Sequence, residues 1–163
     1  MNRTAQRSFA ALVIGVSTLG LAALAPVAGA AEQGHDHGHA SAKPLPAGKR
    51  WQTDAPLREG MSQIRGAFAP ELQTIHKNKL TPDQYKELAT KTEAQIGNVV
   101  ANCKLPPDAD AALHGILAEI GEGTEAMAGK SKMKPRDGAL KVVAALDQYG
   151  KTFDHPGWKR LSH

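Results

Sequence analysis

The stretch TDAPLREGMSQIRGAF, residues 53–68, decides the reading of the fold. Thr53 or Asp54 is of a type that caps helices, and Pro56 falls in the first turn, where no backbone donor is lost. Leu57, Met61, Ile64 and Phe68 follow at spacings of four and three, and Leu72 and Ile75 continue the series. At 3.6 residues per turn this spacing lines one helix face with apolar side chains. Pro70 removes a donor without breaking the phase, which predicts a kink in one long helix rather than its end.

Outward from this segment the same pattern recurs three times. In KLTPDQ, Thr81 is the expected cap and Pro82 the first-turn proline, and Tyr85, Leu88, Ile96, Val99, Val100 and Cys103 form the second stripe, with Thr92 on its path. LPPD breaks that helix and Asp108 is read as the next cap. Ala112, Leu113, Ile116, Leu117, Ile120 and Met127 make the third face, which Gly129 stops. After the polar connection KSKMKPRDG the fourth face runs through Leu140, Val142, Val143, Leu146, Tyr149 and Phe153 up to Pro156. Strand-like alternation is absent. Four amphipathic helices of roughly twenty residues joined by short connections predict an all-α, up-down-up-down four-helix bundle over residues 53–158. Residues 159–163 are left as a C-terminal tail.

What precedes the bundle sets the expected compartment. Residues 1–30 have the layout of a secretory signal peptide: Arg3 and Arg7, an apolar run from Phe9 to Ala25, then VAGA with small residues at Ala28 and Ala30. The run is shorter than the ~20 residues of a spanning helix, so cleavage after Ala30 and a periplasmic protein without a transmembrane segment are expected. Loss of Arg3 and Arg7 takes the 20 basic residues to 18 against 16 acidic ones, a net charge of +2. That balance and the export signal argue against a nucleic-acid partner. The single cysteine forms no internal disulfide.

Residues 31–52 are rich in Gly, His, Ala, Ser, Lys and Pro, and are expected to form a disordered tail with little to bury. Within it, GHDHGH spaces His35, His37 and His39 two apart. In an extended chain these imidazoles project to one side about 7 Å from one another, and a flexible segment can fold them onto one ion. Copper or zinc is the expected ion. In the bundle, the start of the first helix, the end of the second, the start of the third and the end of the fourth share one end. Met61, Cys103, His114 and His155 lie there, and thioether, thiol and imidazole suit the same soft or borderline metals. Met61, Cys103 and His114 are the second-site candidates; core packing competes for Met61 and Cys103. His155, two positions past Phe153, would point some 200° away from the core if the helix continued.

Other chemistries find little support. There is no C-x-x-C-H for covalent haem, and the one Glu-x-x-His spacing, Glu32 to His35, lies in the tail. Glu119, Glu122 and Glu125 read as a solvated row. Lys130, Lys132, Lys134 and Arg136 make a basic connection, read as a solvated loop that an anionic lipid or protein surface could touch. No phosphate-binding glycine loop or nucleophile elbow is present, so an enzyme is not expected. A helical adaptor for an envelope protein partner, with Trp158 at its contact end, is the alternative to metal binding.

Two resemblances bear on these readings. KRWQTDAPLREGM (residues 49–61), NCKLPPDADAALHGILAEI (102–120) and ALDQYGKTFDHPGW (145–158) resemble a family of small exported bacterial proteins, DnrO-like, that carry a His-rich stretch after the signal peptide. The resemblance implies export and a helical fold, brings no catalytic role, and draws attention to Asp54, Arg58, Cys103, His114, Asp154, His155 and Trp158. The layout also resembles cytochrome b562, in which a Met early in the first helix and a His late in the fourth clasp haem. Met61 matches that place and His155 approximately does, but the phase of His155 is wrong and Tyr149 and Phe153 would fill the porphyrin's space.

Overall fold

A computed structural model describes residues 45–161 apart from residue 47. Residues 1–30, where a signal peptide is expected, and His35, His37 and His39 lie outside these residues. Five helices and one short strand pair make up the described chain: β1 (Trp51–Gln52), α1 (Ala55–Phe68), α2 (Leu72–His76), α3 (Pro82–Asn102), α4 (Pro107–Met127), α5 (Pro135–Thr152) and β2 (Phe153–Asp154). The fold is all-α in class. Among the described residues no helix is long and apolar enough to cross a membrane.

Local chemistry accounts for most helix boundaries. The carboxylate of Asp54 accepts the Leu57 amide at 3.0 Å and so caps α1. Thr81 and Gln84 cap α3 reciprocally, each side chain accepting the other's backbone amide. Four of the helices carry proline in the first turn, where the fixed φ is already helical. Gly129, at φ +75°, ends α4: its amide donates to the Ala126 carbonyl and that of Lys130 to the Glu125 carbonyl, a left-handed cap that satisfies the last turn.

Three boundaries differ from the sequence expectation. Pro70 ends α1 instead of kinking it. The amide of Glu71 donates to the Phe68 carbonyl three residues back, and α2 restarts at Leu72 with Leu72 and Ile75 still buried. Asp108 is not the cap of α4, because Pro107 already opens the helix behind Pro106, and Asp108 lies in the first turn. Pro156 does not end α5. Phe153 is extended (φ −114°, ψ 140°), and it and Asp154 run parallel to Trp51 and Gln52, with Trp51 opposite Phe153. Trp51 and Gln52 are thus a paired strand rather than the end of a disordered tail.

The core lies where the stripes meet. Leu57, Met61, Phe68, Val99, Leu113 and Ile120 are all at or near zero exposure. Val100 does not join it: at 61% exposure it sits a hundred degrees round α3 from Val99, beside a stripe that runs through Ile96, Val99 and Cys103. Thr92 is fully buried, and its hydroxyl donates to the Leu88 carbonyl at 2.7 Å. Residues 159–161 are docked rather than loose. Leu161 is buried, Arg160 pairs with Asp147 at 2.8 Å, and the Arg65 side chain donates to the Lys159 carbonyl.

Helices α4 and α5 approach backbone to backbone. A Cβ on Gly138 would stand 2.6 Å from the Gly123 carbonyl oxygen, and one on Gly123 would stand 2.6 Å from that of Gly138. Lys141 of α5 ties the same pair together, reaching Glu119 at 2.5 Å and Glu122 at 2.9 Å; both glutamates are exposed, as the solvated row expected from the sequence. Replacing Gly138 by Ala is expected to lower stability by about 2 kcal/mol through overpacking. Gly115→Ala, in an open position on α4, should raise it by about 0.8 kcal/mol through helix propensity. Urea denaturation of both variants checks the pair; equal effects would mean that the glycine contact does not set the spacing.

Candidate functional site

Beyond the last turn of α5 the chain reverses. His155, Pro156, Gly157 and Trp158 form a tight turn, in which the Trp158 amide donates to the His155 carbonyl at 3.0 Å and Gly157 takes φ +80°. Proline followed by a left-handed glycine is the signature of a type II turn. The reversal brings His155 and Trp158 back over Tyr149. Trp158 lies directly on α5, since a Cβ on Gly150 would meet its Nε1 at 2.4 Å.

Tyr149 is fully buried and surrounded by rings. It stacks on Phe153 (centroids 5.3 Å apart, planes at 20°) and takes Trp158 edge-on at 4.8 Å. Its hydroxyl is 2.9 Å from Nδ1 of His155, and Nε2 of the same ring is 3.4 Å from the Ser62 hydroxyl on α1. Every group in this chain can donate or accept, so whichever ring nitrogen of neutral His155 carries the proton, both contacts are served. His155 therefore points inward, against the outward direction expected from an unbroken helix.

A strap of residues 50–58 holds the turn from the other side. The Thr53 hydroxyl donates to the Asp154 carbonyl at 2.8 Å, and Arg50 pairs with the Asp154 carboxylate at 2.9 Å. Arg58 donates to the Thr53 carbonyl from the first turns of α1. Asp54 serves twice: besides capping α1 it accepts the Lys104 amide at 2.6 Å, tying the start of α1 to the end of α3. Five of the seven residues singled out by resemblance, Asp54, Arg58, Asp154, His155 and Trp158, thus belong to one fastening. A shallow concavity of about 350 Å³ opens beside it, lined by Arg58, Glu59, Ser62, Gln63, His155 and Pro156.

Electrostatics follows burial. Loss of solvent raises the Tyr149 hydroxyl far above its ordinary range, so it stays protonated at any physiological pH. Burial, and secondarily the Arg58 cation, lower the pKa of His155, which keeps the ring neutral. The Cys103 thiol is raised by burial and then by Asp54 and Asp110, which leaves it protonated and a poor nucleophile.

The expected second-site ligands are distributed as follows. Met61 is fully buried in the core. Cys103 is half-buried, a free thiol at the C-cap of α3. His114 is exposed on α4, its Nδ1 2.9 Å from the Asp110 carbonyl and 3.4 Å from the Asp110 carboxylate. Asp110 thus contacts His114, and its charge also acts on the Cys103 thiol. No three of His, Cys, Asp and Glu converge to hold an ion among the described residues. Ser62 and Tyr149, the two partners of His155, were not distinguishable as such in the sequence. The Pro156–Gly157 pair was the available signal that the chain reverses and returns the imidazole to the core.

The neutral imidazole makes stability depend on pH. The unfolded chain takes up a proton below the ordinary histidine value of 6.5, whereas folded His155 resists it. Stability should be full above that value and fall as pH drops through it toward the lower folded pKa. His155→Gln should flatten this acid limb in denaturation curves between about pH 7 and pH 5; an unchanged limb would assign it to another group.

The chain matches no protein-family model, no curated protein and no solved structure in comparison with each.

Proposed function

We propose that this is a non-catalytic, periplasmic metal-binding protein whose His-rich leading segment captures copper, or alternatively zinc. The observation that carries the reading is the spacing of His35, His37 and His39 behind an export-type leader. Three neutral imidazoles within five residues of sequence meet the coordination demand of either ion, and Asp36 adds an oxygen donor. The helical part acts in this reading as the carrier, an up-down-up-down four-helix bundle with α2 appended to α1. Short connections and the packing of α1 on α3, α3 on α4 and α4 on α5 support that topology.

The distribution of donors in the helical part is consistent with a capture site elsewhere. Both His155 nitrogens are engaged and Met61 is packed, which leaves Cys103, and His114 beside Asp110, as the donors a second ion could recruit. The exported chain is expected to bind Cu(II) or Zn(II) saturably at micromolar affinity or tighter. Replacing His35, His37 and His39 together by Ala should weaken calorimetric binding at least about tenfold and leave the helical circular-dichroism signal unchanged. Full retention of the metal by the triple variant, or none bound by the unaltered chain, refutes the reading.

A further inference from the structure

At the other end of α5 from His155 lies a second tyrosine with the opposite fate. Tyr85 is 4% exposed, and its hydroxyl is buried with no hydrogen-bond partner. A buried hydroxyl left unpaired costs free energy comparable to a lost hydrogen bond, so its retention asks for a partner. Tyr85 lines a cavity of about 380 Å³ together with Asn78, Lys134, Arg136 and Asp137, and with Pro82 and Pro135 at the starts of α3 and α5.

Apart from one carboxylate, that of Asp137, the charged and dipolar groups at this cavity favour negative charge. The first turn of α5 offers the Arg136 and Asp137 amides, which have no carbonyl partner within the helix, and no side chain caps them. The positive end of an eighteen-residue helix is directed at the same place. Arg136 is held there by the carbonyls that end α2, donating to Ile75 at 3.3 Å and to His76 at 3.2 Å. Asp137 also lines the cavity, 3.8 Å from Nη1 of Arg136, and offsets part of that cation's charge. Lys134 is exposed at the rim. Burial raises the Tyr85 pKa, with Arg136 opposing, so the hydroxyl remains a donor at neutral pH.

We infer that the cavity between the starts of α3 and α5 is a phosphate-binding site, in which the Tyr85 hydroxyl, the α5 amides, Arg136 and Lys134 hold the oxyanion. A tetrahedral oxyanion supplies acceptors to all of these donors at once, and it gives the orphaned hydroxyl its partner. The end of the basic connection, Lys134 to Arg136, read from sequence as part of a solvated loop, becomes the rim of that site. The phosphate could be free or part of an anionic lipid headgroup, since both present the same oxygens.

The test uses the full chain and inorganic phosphate, followed by NMR shifts of the amides of Arg136 and Asp137. Saturable shifts are expected. Tyr85→Phe should weaken binding about tenfold, the loss of one hydrogen bond to a charged group, and should leave the melting temperature unchanged or raised. Lys134→Gln should weaken it about threefold and reduce its sensitivity to salt. Sedimentation with phosphatidylglycerol vesicles, compared with phosphatidylcholine, identifies the source. Vesicle binding that phosphate displaces and Tyr85→Phe weakens to the same degree assigns a lipid headgroup, and phosphate binding without vesicle binding assigns a soluble phosphate. Absence of saturable shifts, or equal affinity in the Tyr85→Phe variant, overturns the inference.

Discussion

A phenol hydroxyl buried without water costs free energy unless the protein gives it a partner, and at Tyr149 the partner is supplied by the segment that closes one end of the helices. The ring supplies apolar surface to the core, but its oxygen comes with it. His155 answers at 2.9 Å, and it can do so only because the chain leaves the helix at Phe153 and reverses at Pro156–Gly157. The reversal exposes the backbone of 153–155, which the parallel pairing with Trp51–Gln52 and the Thr53 hydroxyl then satisfy. The partner of one polar atom thus comes together with the strand pair, the turn and the strap that fastens the start of α1.

The opposite end makes the comparison. Tyr85 is buried to nearly the same degree, yet no element returns to meet its hydroxyl. Its surroundings are also different in charge. Tyr149 is enclosed by rings and one Arg58 cation at a distance, whereas Tyr85 faces the starts of two helices with Lys134 and Arg136 on the same cavity. A protein interior tolerates an unpaired hydroxyl at a cost of about 1–3 kcal/mol. Evaluated together, a sealed aromatic end and an open cationic end give the helical part a polarity that neither its net charge nor its hydropathy conveys.

Between the ends, the helices are held by contacts of two kinds. Apolar stripes bring α1, α3, α4 and α5 together without specifying how closely. The α4–α5 spacing is narrower than stripes require, because Gly123 and Gly138 let the backbones meet and Lys141 then reaches two glutamates of α4. By propensity alone, glycine inside a helix is unfavourable. The value of Gly123 and Gly138 lies in the partner helix, which the sequence does not place.

What the sequence determined by itself is what depends on neighbours within a few residues: helical periodicity, first-turn prolines, the Thr81 cap, the stop at Gly129, and through them an all-α chain with most of its core identified. Where one position could satisfy two local rules, tertiary structure chose. Pro70 ended a helix whose stripe nonetheless continued, Pro107 took precedence over Asp108 as the helix start, and Val100 lost its place to Val99. The sites were least legible, because Ser62, Tyr149 and His155, or Tyr85, Lys134 and Arg136, meet only after the helices have packed. Hydrogen bonding and desolvation act over a few ångströms of space, and sequence distance carries no record of which residues will come within that range.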